Sequence, residues 1–349
     1  MKLADIVLRY RQRVEQHYVT TLTQPMRKAM NAVLACRTEQ YGKMQLCCPQ
    51  CQTETQHFHS CGHRSCPACQ HYDTGQWLER QTQKLLPVEY YMATFTLPRQ
   101  LRALVWHHQR MLYNMLFECA VSTLKRFGMN EASLGGELGL TVVLHTHSRR
   151  LQFHPHVHIV IPGGCYLRVR HQWKKQRGNY LFNEINLASV FRARMLDAII
   201  KAGFTVPGEL PKQWVVHCNH VGKGLPALKY LSRYLYRGVI DEKNIIDNDG
   251  TYVTFRYRDS ETDTLKTRRV KGEDFLWLVF QHALPKGFRR TRDYGFLHGN
   301  ACRTRQLIQW LLRVKLPAPV LKSRPVFMCQ QCHVAMKIVA FIPPGWRAG

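Results

Sequence analysis

The segment Phe153-His154-Pro155-His156-Val157-His158-Ile159-Val160-Ile161 places an imidazole at every second position of an otherwise apolar run. In an extended chain successive side chains point to opposite faces, so Phe153, Val157, Ile159 and Ile161 share one face and His154, His156 and His158 the other. Imidazoles at i and i+2 on a rigid strand can chelate one divalent ion, a preorganisation that a loop does not supply. His156 and His158 are the expected ligands. Pro155 fits only near the start of the strand, where its missing N–H is tolerated. The preceding strand-like run ends Leu144-His145-Thr146-His147, and Ser148 to Leu151 can turn it back antiparallel to the histidines. A third ligand then comes from next door: His145 first, with His147 and Gln152 as alternatives.

A second chemical element is Gly224-Leu225-Pro226-Ala227-Leu228-Lys229-Tyr230-Leu231-Ser232-Arg233-Tyr234-Leu235-Tyr236-Arg237. At 100° per residue, Leu228, Leu231 and Leu235 cluster as a core stripe, while Tyr230 and Tyr234 lie within about 40° of one another on a flank. Arg233 and Arg237 adjoin that flank, Lys223 precedes the helix, and these three cations are the expected DNA contacts. Pro226 suits the first helical turn. Two phenols one turn apart beside arginines suit a site that must attack phosphate twice. The guanidinium groups stabilise charge on the phosphoryl oxygens and favour phenolate over phenol, whose unperturbed pKa is about 10. A partly buried aromatic pair flanked by snorkelling arginines has the same spacing. Tyr236 sits on another face and reads as structural.

The cysteines form a third element. Cys48-x2-Cys51 and Cys66-x2-Cys69 are separated by 14 residues, close to the two-knuckle spacing of a zinc ribbon, in which one tetrahedral ion joins two tight turns. A structural zinc is expected there. Cys36, Cys61 and His63, with His57 and His59 nearby, leave enough ligands for a second ion, and Cys47 can replace its neighbour Cys48 in the register. Cys329-x2-Cys332-His333 matches the spacing of covalent haem attachment as well as half a zinc knuckle. Without an export signal, and in so basic a chain, the reading is a half-knuckle or a pair of unliganded thiols, and no haem.

The 349 residues are 45% hydrophobic, enough for two or three domains with a real core. They carry 50 Lys and Arg against 23 Asp and Glu, a formal charge of +27 before any histidine protonates. Such an excess points to a polyanionic partner, because each neutralised phosphate releases condensed counterions. The opening residues lack the apolar core of a signal peptide, and no apolar stretch reaches the length of a membrane span. The expectation is a cytoplasmic, nucleoid-associated protein without membrane contact, its 13 cysteines serving as thiolate ligands and buried thiols rather than disulfides. The elements that must position these groups read as α+β. An amphipathic N-terminal helix leads into the cysteine segment and a polar, Gln-rich helix. From Val88, strand-like runs such as Tyr91-Met92-Ala93-Thr94-Phe95-Thr96-Leu97 alternate with helical ones, Leu101 to Phe127 reading as one long helix, and Pro162-Gly163-Gly164 is a strong turn. The organisation is residues 1–87 as N-terminal helix and zinc-binding domain, 88–300 as the domain that carries the histidine strand and the tyrosine helix, and 301–349 as C-terminal helix with the half-knuckle.

The three elements in this order resemble the HUH endonucleases, and the surrounding sequence is similar to transposases of the insertion sequence ninety-one family. That family carries an N-terminal cysteine-rich zinc domain, a His-Pro-His-hydrophobic-His strand running into Pro-Gly-Gly, and a Tyr-Leu-x-x-Tyr helix. Here they are His154-Pro155-His156-Val157-His158, Pro162-Gly163-Gly164 and Tyr230-Leu231-Ser232-Arg233-Tyr234. Further words, among them Phe95-Thr96-Leu97-Pro98, Leu284-Pro285-Lys286-Gly287-Phe288 and Tyr294-Gly295-Phe296-Leu297, extend the resemblance from Cys36 to about Asn300. It implies a central antiparallel sheet with the histidines on a middle strand and the tyrosine helix laid across it. It also implies a magnesium or manganese ion on His156 and His158 that polarises a scissile phosphate in single-stranded DNA at the element's ends and target. Tyr230 and Tyr234 are then the nucleophiles that form 5′-phosphotyrosine links. One departure is that Ser65 stands where similar proteins carry a histidine before the third knuckle cysteine, with His63 two residues earlier.

A plasmid or phage replication initiator would use the same cleavage chemistry, and a non-catalytic zinc-dependent DNA-binding protein would use the tyrosines only for packing. The sequence has no Gly-x-x-x-x-Gly-Lys-Ser/Thr loop, so strand separation must come from the host or from supercoiling.

Overall fold

The amphipathic N-terminal stretch folds as two helices, α1 (Leu3–His17) and α2 (Gln24–Ala35), with Pro25 in the first turn of the second. Proline's fixed φ suits a helix start, and its missing N–H costs nothing there. The cysteine segment that follows holds a hairpin of β1 (Lys43–Cys47) and β2 (Glu54–Phe58), and then α3 (His71–Thr82). The computed structural model describes residues 1–69, 71–131, 133–235, 239–259, 262–315 and 326–345, without the side chains of residues 71, 72 and 233–235.

The apolar runs after Val88 supply β3 (Glu89–Thr96), α4 (Arg102–His107), α5 (Gln109–Asn130), β4 (Leu140–His147) and β5 (Phe153–Pro162). A small hairpin follows, β6 (Gly164–Leu167) with β7 (Gln172–Lys175), then α6 (Glu184–Lys201), β8 (Val216–Lys223) and α7 (Gly224–Leu235). The remainder is β9 (Ile245–Asn248), β10 (Tyr252–Arg258), β11 (Leu265–Lys271), α8 (Gly272–Phe280), β12 (Thr291–Tyr294), α9 (Cys302–Leu311) and β13 (Lys337–Ile342). The stretch from Leu101 to Phe127 is not one helix. It breaks between α4 and α5 at His108, whose φ of −123° and ψ of 41° are not helical and whose ring packs on Phe204 at 4.5 Å between centroids.

Five strands form a central antiparallel sheet in the order β12-β4-β5-β3-β8, so the histidine strand β5 is the middle one. The alternation along β5 sorts its faces. Val157, Ile159 and Ile161 are buried in a core with Phe95, Phe117 and Phe191 from β3, α5 and α6. Each such side chain removed from water contributes about 1.5–3 kcal/mol. On the other face Val160 and Val143 pack with Leu228 and Leu231 of α7 and Trp77 of α3. The helix carrying the tyrosines therefore lies against the same face of the sheet as the histidines.

A second core packs α1, α2 and α8 on the sheet β11-β10-β9, with Ile6, Tyr10 and Met30 meeting Phe255, Phe275 and Phe280. It joins the chain's first 35 residues to residues 239–283. The C-terminal strand β13 also returns to the N-terminus, pairing antiparallel with β1 to give the sheet β13-β1-β2. Among the described residues no helix is long and apolar enough to cross a membrane.

Candidate active site and cysteine clusters

Strand register assembles the histidines. His145 of β4 stands opposite His156 of β5, and Val143 stands opposite His158, so the three imidazoles meet on one face with their ligand atoms within 4.8 Å of one another. His145 is the third member of this cluster. The register shifts between His145 and His147, and Pro155 falls in that irregularity, where no ladder bond is required of its missing N–H. The shift carries His147 away from the cluster to lie 5.2 Å from the ring of His282. Gln152 is exposed in the turn, its backbone N–H bonded to Ser148.

Burial holds these rings in the neutral form that a ligand needs. Loss of hydration pushes the proton affinity of His156 down to about 4 and that of His158 to about 3, and takes His145 well below the ordinary histidine value. His156 Nδ1 lies 2.7 Å from the carbonyl of His154; only an N–H can satisfy that oxygen, which leaves Nε2 with its lone pair. His158 Nδ1 shares a 2.9 Å hydrogen bond with the hydroxyl of Thr94, directly across the β3–β5 pair. Such outer partners fix ring orientation and raise ligand basicity. Sequence reasoning missed Thr94, although its parity in β3, between Ala93 and Phe95 that face the core, was there to be read. It also missed Arg102, which reaches His154 Nδ1 at 2.7 Å.

The tyrosine helix follows β8 almost without a link. Gly224 begins it where a Cβ would lie 2.8 Å from the ring of Tyr90, so the absence of a side chain lets the helix N-terminus seat against β3. Leu228 and Leu231 are buried as the helical period requires. Tyr230 is half-buried, its ring edge-on to His158 with centroids 6.0 Å apart. Tyr234 follows one turn later on the same helix; its side chain and those of Arg233 and Leu235 are outside the described atoms, and Tyr236 and Arg237 lie outside the described residues. Lys223 is exposed at the end of β8, opposite Glu89.

The cysteines do not form the single ribbon expected from Cys48, Cys51, Cys66 and Cys69. Among the described residues there are two separate four-sulfur clusters: Cys36, Cys61, Cys66 and Cys69, and Cys48, Cys51, Cys329 and Cys332. The 14-residue spacing suited a ribbon, but β2 carries the chain back along β1 before the second pair, and β13 brings the C-terminal pair to the first. In the first cluster Cys69 Sγ lies 3.5 Å from Cys36 and 3.6 Å from Cys61. His63 is not a member; its Nδ1 accepts the N–H of Ser65 at 3.1 Å. Cys47 turns its thiol to the Cys48 carbonyl and Gln52, which settles the register on Cys48.

A cleft of about 1330 Å³ runs between the first cysteine cluster, α3 and the segment leading into β12. Its lining includes the exposed cations Lys28, Arg80, Lys286 and Arg289. Arg290, on the same wall, also helps to depress the proton affinity of His145 and His147.

A family profile described as "Putative transposase" matches residues 139–305, and one described as "Transposase zinc-binding domain" matches residues 6–97. The chain is 31% identical to "Putative transposase y4qJ" of Sinorhizobium fredii, over 99% of this chain and 96% of that one. It is 27% identical to "Transposase for insertion sequence element IS801" of Pseudomonas savastanoi pv. phaseolicola, over 79% of this chain and 71% of that one. These matches make the chain a DNA-processing enzyme with an N-terminal zinc-binding domain, to which the first sulfur cluster belongs. The chain belongs to the transposases of the insertion sequence ninety-one family.

Proposed function

We propose that this transposase nicks and rejoins single-stranded DNA at the ends of its element by a rolling-circle route, as an HUH endonuclease and strand transferase. The observation that carries the reading is the ring of Tyr230 edge-on to His158 within a cluster of three buried imidazoles. His145, His156 and His158 would hold a divalent ion, and the donor set fits one: three neutral imidazoles, with Nε2 of His156 left to coordinate. A shell of imidazole nitrogens completed by water and phosphate oxygens favours manganese over magnesium, which prefers oxygen ligands throughout. When bound, the ion supplies Lewis-acid polarisation of the scissile phosphate and neutralises its charge.

The chain's own groups do the rest. The phenol of Tyr230 or Tyr234 gives up its proton to solvent, its oxygen attacks phosphorus, the bond to the 3′-oxygen breaks, and the leaving oxygen takes up a proton from solvent as the 3′-hydroxyl. The DNA's 5′-phosphate is left esterified to tyrosine, and attack by a 3′-hydroxyl reverses the step without an external nucleotide. Thr94 and the His154 carbonyl orient the imidazoles. Lys223, Arg233 and Arg237 contact the phosphate backbone, and cysteine-bound zinc holds the N-terminal domain that helps grip it. In this reading residues 88–300 act as the nuclease unit in a protein that works at the nucleoid.

Incubation with labelled single strands from the element's own ends, with manganese, tests this. The expected product is a covalent protein–DNA adduct that survives denaturing electrophoresis and carries a free 3′-hydroxyl fragment. Binding without any adduct, at any divalent ion supplied, would leave a DNA-binding protein instead.

A further inference from the structure

We infer that Cys48, Cys51, Cys329 and Cys332 hold a second structural zinc ion, in a ribbon whose two halves come from opposite ends of the chain. The zinc-domain profile ends at residue 97 and contains only half of these ligands. The four sulfurs are brought together by folding alone: Cys48 Sγ lies 3.2 Å from Cys332, and Cys51 Sγ lies 3.5 Å from Cys329 and 3.6 Å from Cys332. Zinc–sulfur bonds of about 2.3 Å in a tetrahedron give sulfur separations of about 3.8 Å, whereas a disulfide needs about 2.05 Å. All four are free thiols.

The backbone carries the inference independently of the sulfurs, because the two Cys-x2-Cys turns have the same construction. In the first, Gln52 N–H donates to the Cys48 carbonyl at 3.0 Å and Cys48 N–H to the Thr53 carbonyl at 3.0 Å. In the second, His333 N–H donates to the Cys329 carbonyl at 3.0 Å and Cys329 N–H to the Val334 carbonyl at 2.9 Å. The residue after each second cysteine is left-handed, Gln52 at φ 57° and His333 at φ 53°. Two non-glycine residues in that conformation, at equivalent positions of two facing turns, repeat a knuckle built to aim a pair of sulfurs at one point. His333 is thus the turn residue of its knuckle rather than a ligand.

Packing completes the module. Leu46 and Met336 are buried with Cys48 and Cys329 in a small core of their own, and Thr53 Oγ1 donates to Gln331 Oε1 at 2.9 Å across the two knuckles. A core so small suits metal-dependent stability, since site formation and folding are then one equilibrium. The ion would clasp β13 to β1, so the ribbon closes only when the C-terminal segment is present.

Zinc content of the purified chain tests this. Two zinc ions per chain are expected, in all-sulfur coordination by X-ray absorption. Cys48→Ser/Cys51→Ser and Cys329→Ser/Cys332→Ser should each retain one, and so should the quadruple variant, because all four changes strike the same site. One zinc in the wild type, or a quadruple variant that loses more than either double, overturns the shared site. The wild-type count and its coordination keep the inference open to refutation even where a variant fails to fold.

Discussion

His145 and His156 face one another across the β4–β5 pair, their ring centroids 5.2 Å apart. That pairing makes a three-membered cluster out of a two-membered motif, since His156 and His158 come from one strand and only register can deliver the third ring. His156→Ala or His158→Ala should lower adduct formation by at least about a hundredfold while leaving DNA binding within about twofold, because the strand's opposite face maintains the fold. His145→Ala should cost about tenfold. Thr94→Val, which removes the hydroxyl that orients His158, should weaken manganese affinity about tenfold, as outer-shell changes do. Titration of the protein into manganese, followed by electron paramagnetic resonance, reads this directly. Unchanged affinity in all four variants would move the metal away from these imidazoles.

The faces of β5, the helix carrying Tyr230 and the cation excess were legible in the sequence, because period and composition are local properties. His145 could be ranked above His147 but not separated from it, because that choice turns on a register shift between the two residues. The cysteine pairing was hidden for a different reason. Spacing along the chain matched Cys48–Cys51 to Cys66–Cys69, whereas the partner pair, Cys329 and Cys332, lies at the other end of the sequence and is delivered by the β1–β13 pairing. Asp293 left no pattern at all in the sequence, since its partners are scattered.

Those partners make Asp293 a hub. Its carboxylate receives Lys84 at 2.5 Å and Gln81 at 3.1 Å from α3 and its C-terminal turn, and Thr141 at 2.7 Å from β4. The Lys84–Asp293 pair is mostly shielded from solvent, so Asp293→Ala strands an ammonium and two polar groups. It should destabilise by about 2 kcal/mol, discounted from the cost of a fully buried pair. Asp293→Asn keeps the hydrogen-bonding shape and should cost about half as much. Urea denaturation would show the difference, and equal stability of Asp293→Ala and wild type would remove the hub from the account.

The cleft cations give an electrostatic test. Lys28 and Arg289 are exposed on its lining, on different segments of the chain. If DNA runs there, Lys28→Glu/Arg289→Glu should weaken binding at low salt and reduce the slope of log affinity against log salt by about 1.4, or about 0.7 per lost phosphate contact on a single strand. Adduct formation at saturating DNA should stay near wild type, as neither residue belongs to the imidazole cluster. A slope equal to the wild type's places the DNA on another surface.

On the proposed mechanism, strand exchange accounts for the two tyrosines of one helix. Moving a single strand requires a cut at one end of the element, a second cut at the other end or in the target, and rejoining of the products. Each phosphotyrosine bond conserves the energy of a broken phosphodiester, so a tyrosine stays occupied from its cut until its DNA is rejoined. With only one phenol, the second cut would have to wait for the first strand to leave. Tyr230 stands beside His158, and Tyr234 follows one turn further along α7; in the proposed mechanism one phenol attacks while the other keeps its DNA. Tyr230→Phe and Tyr234→Phe should each retain single-turnover cleavage, reduced about tenfold or more, and lose transposition. The double variant should form no adduct. A persisting adduct in the double variant would shift the nucleophile to another residue, Tyr236 first. Normal transposition by either single variant would make this a one-tyrosine enzyme, with the second ring kept for packing.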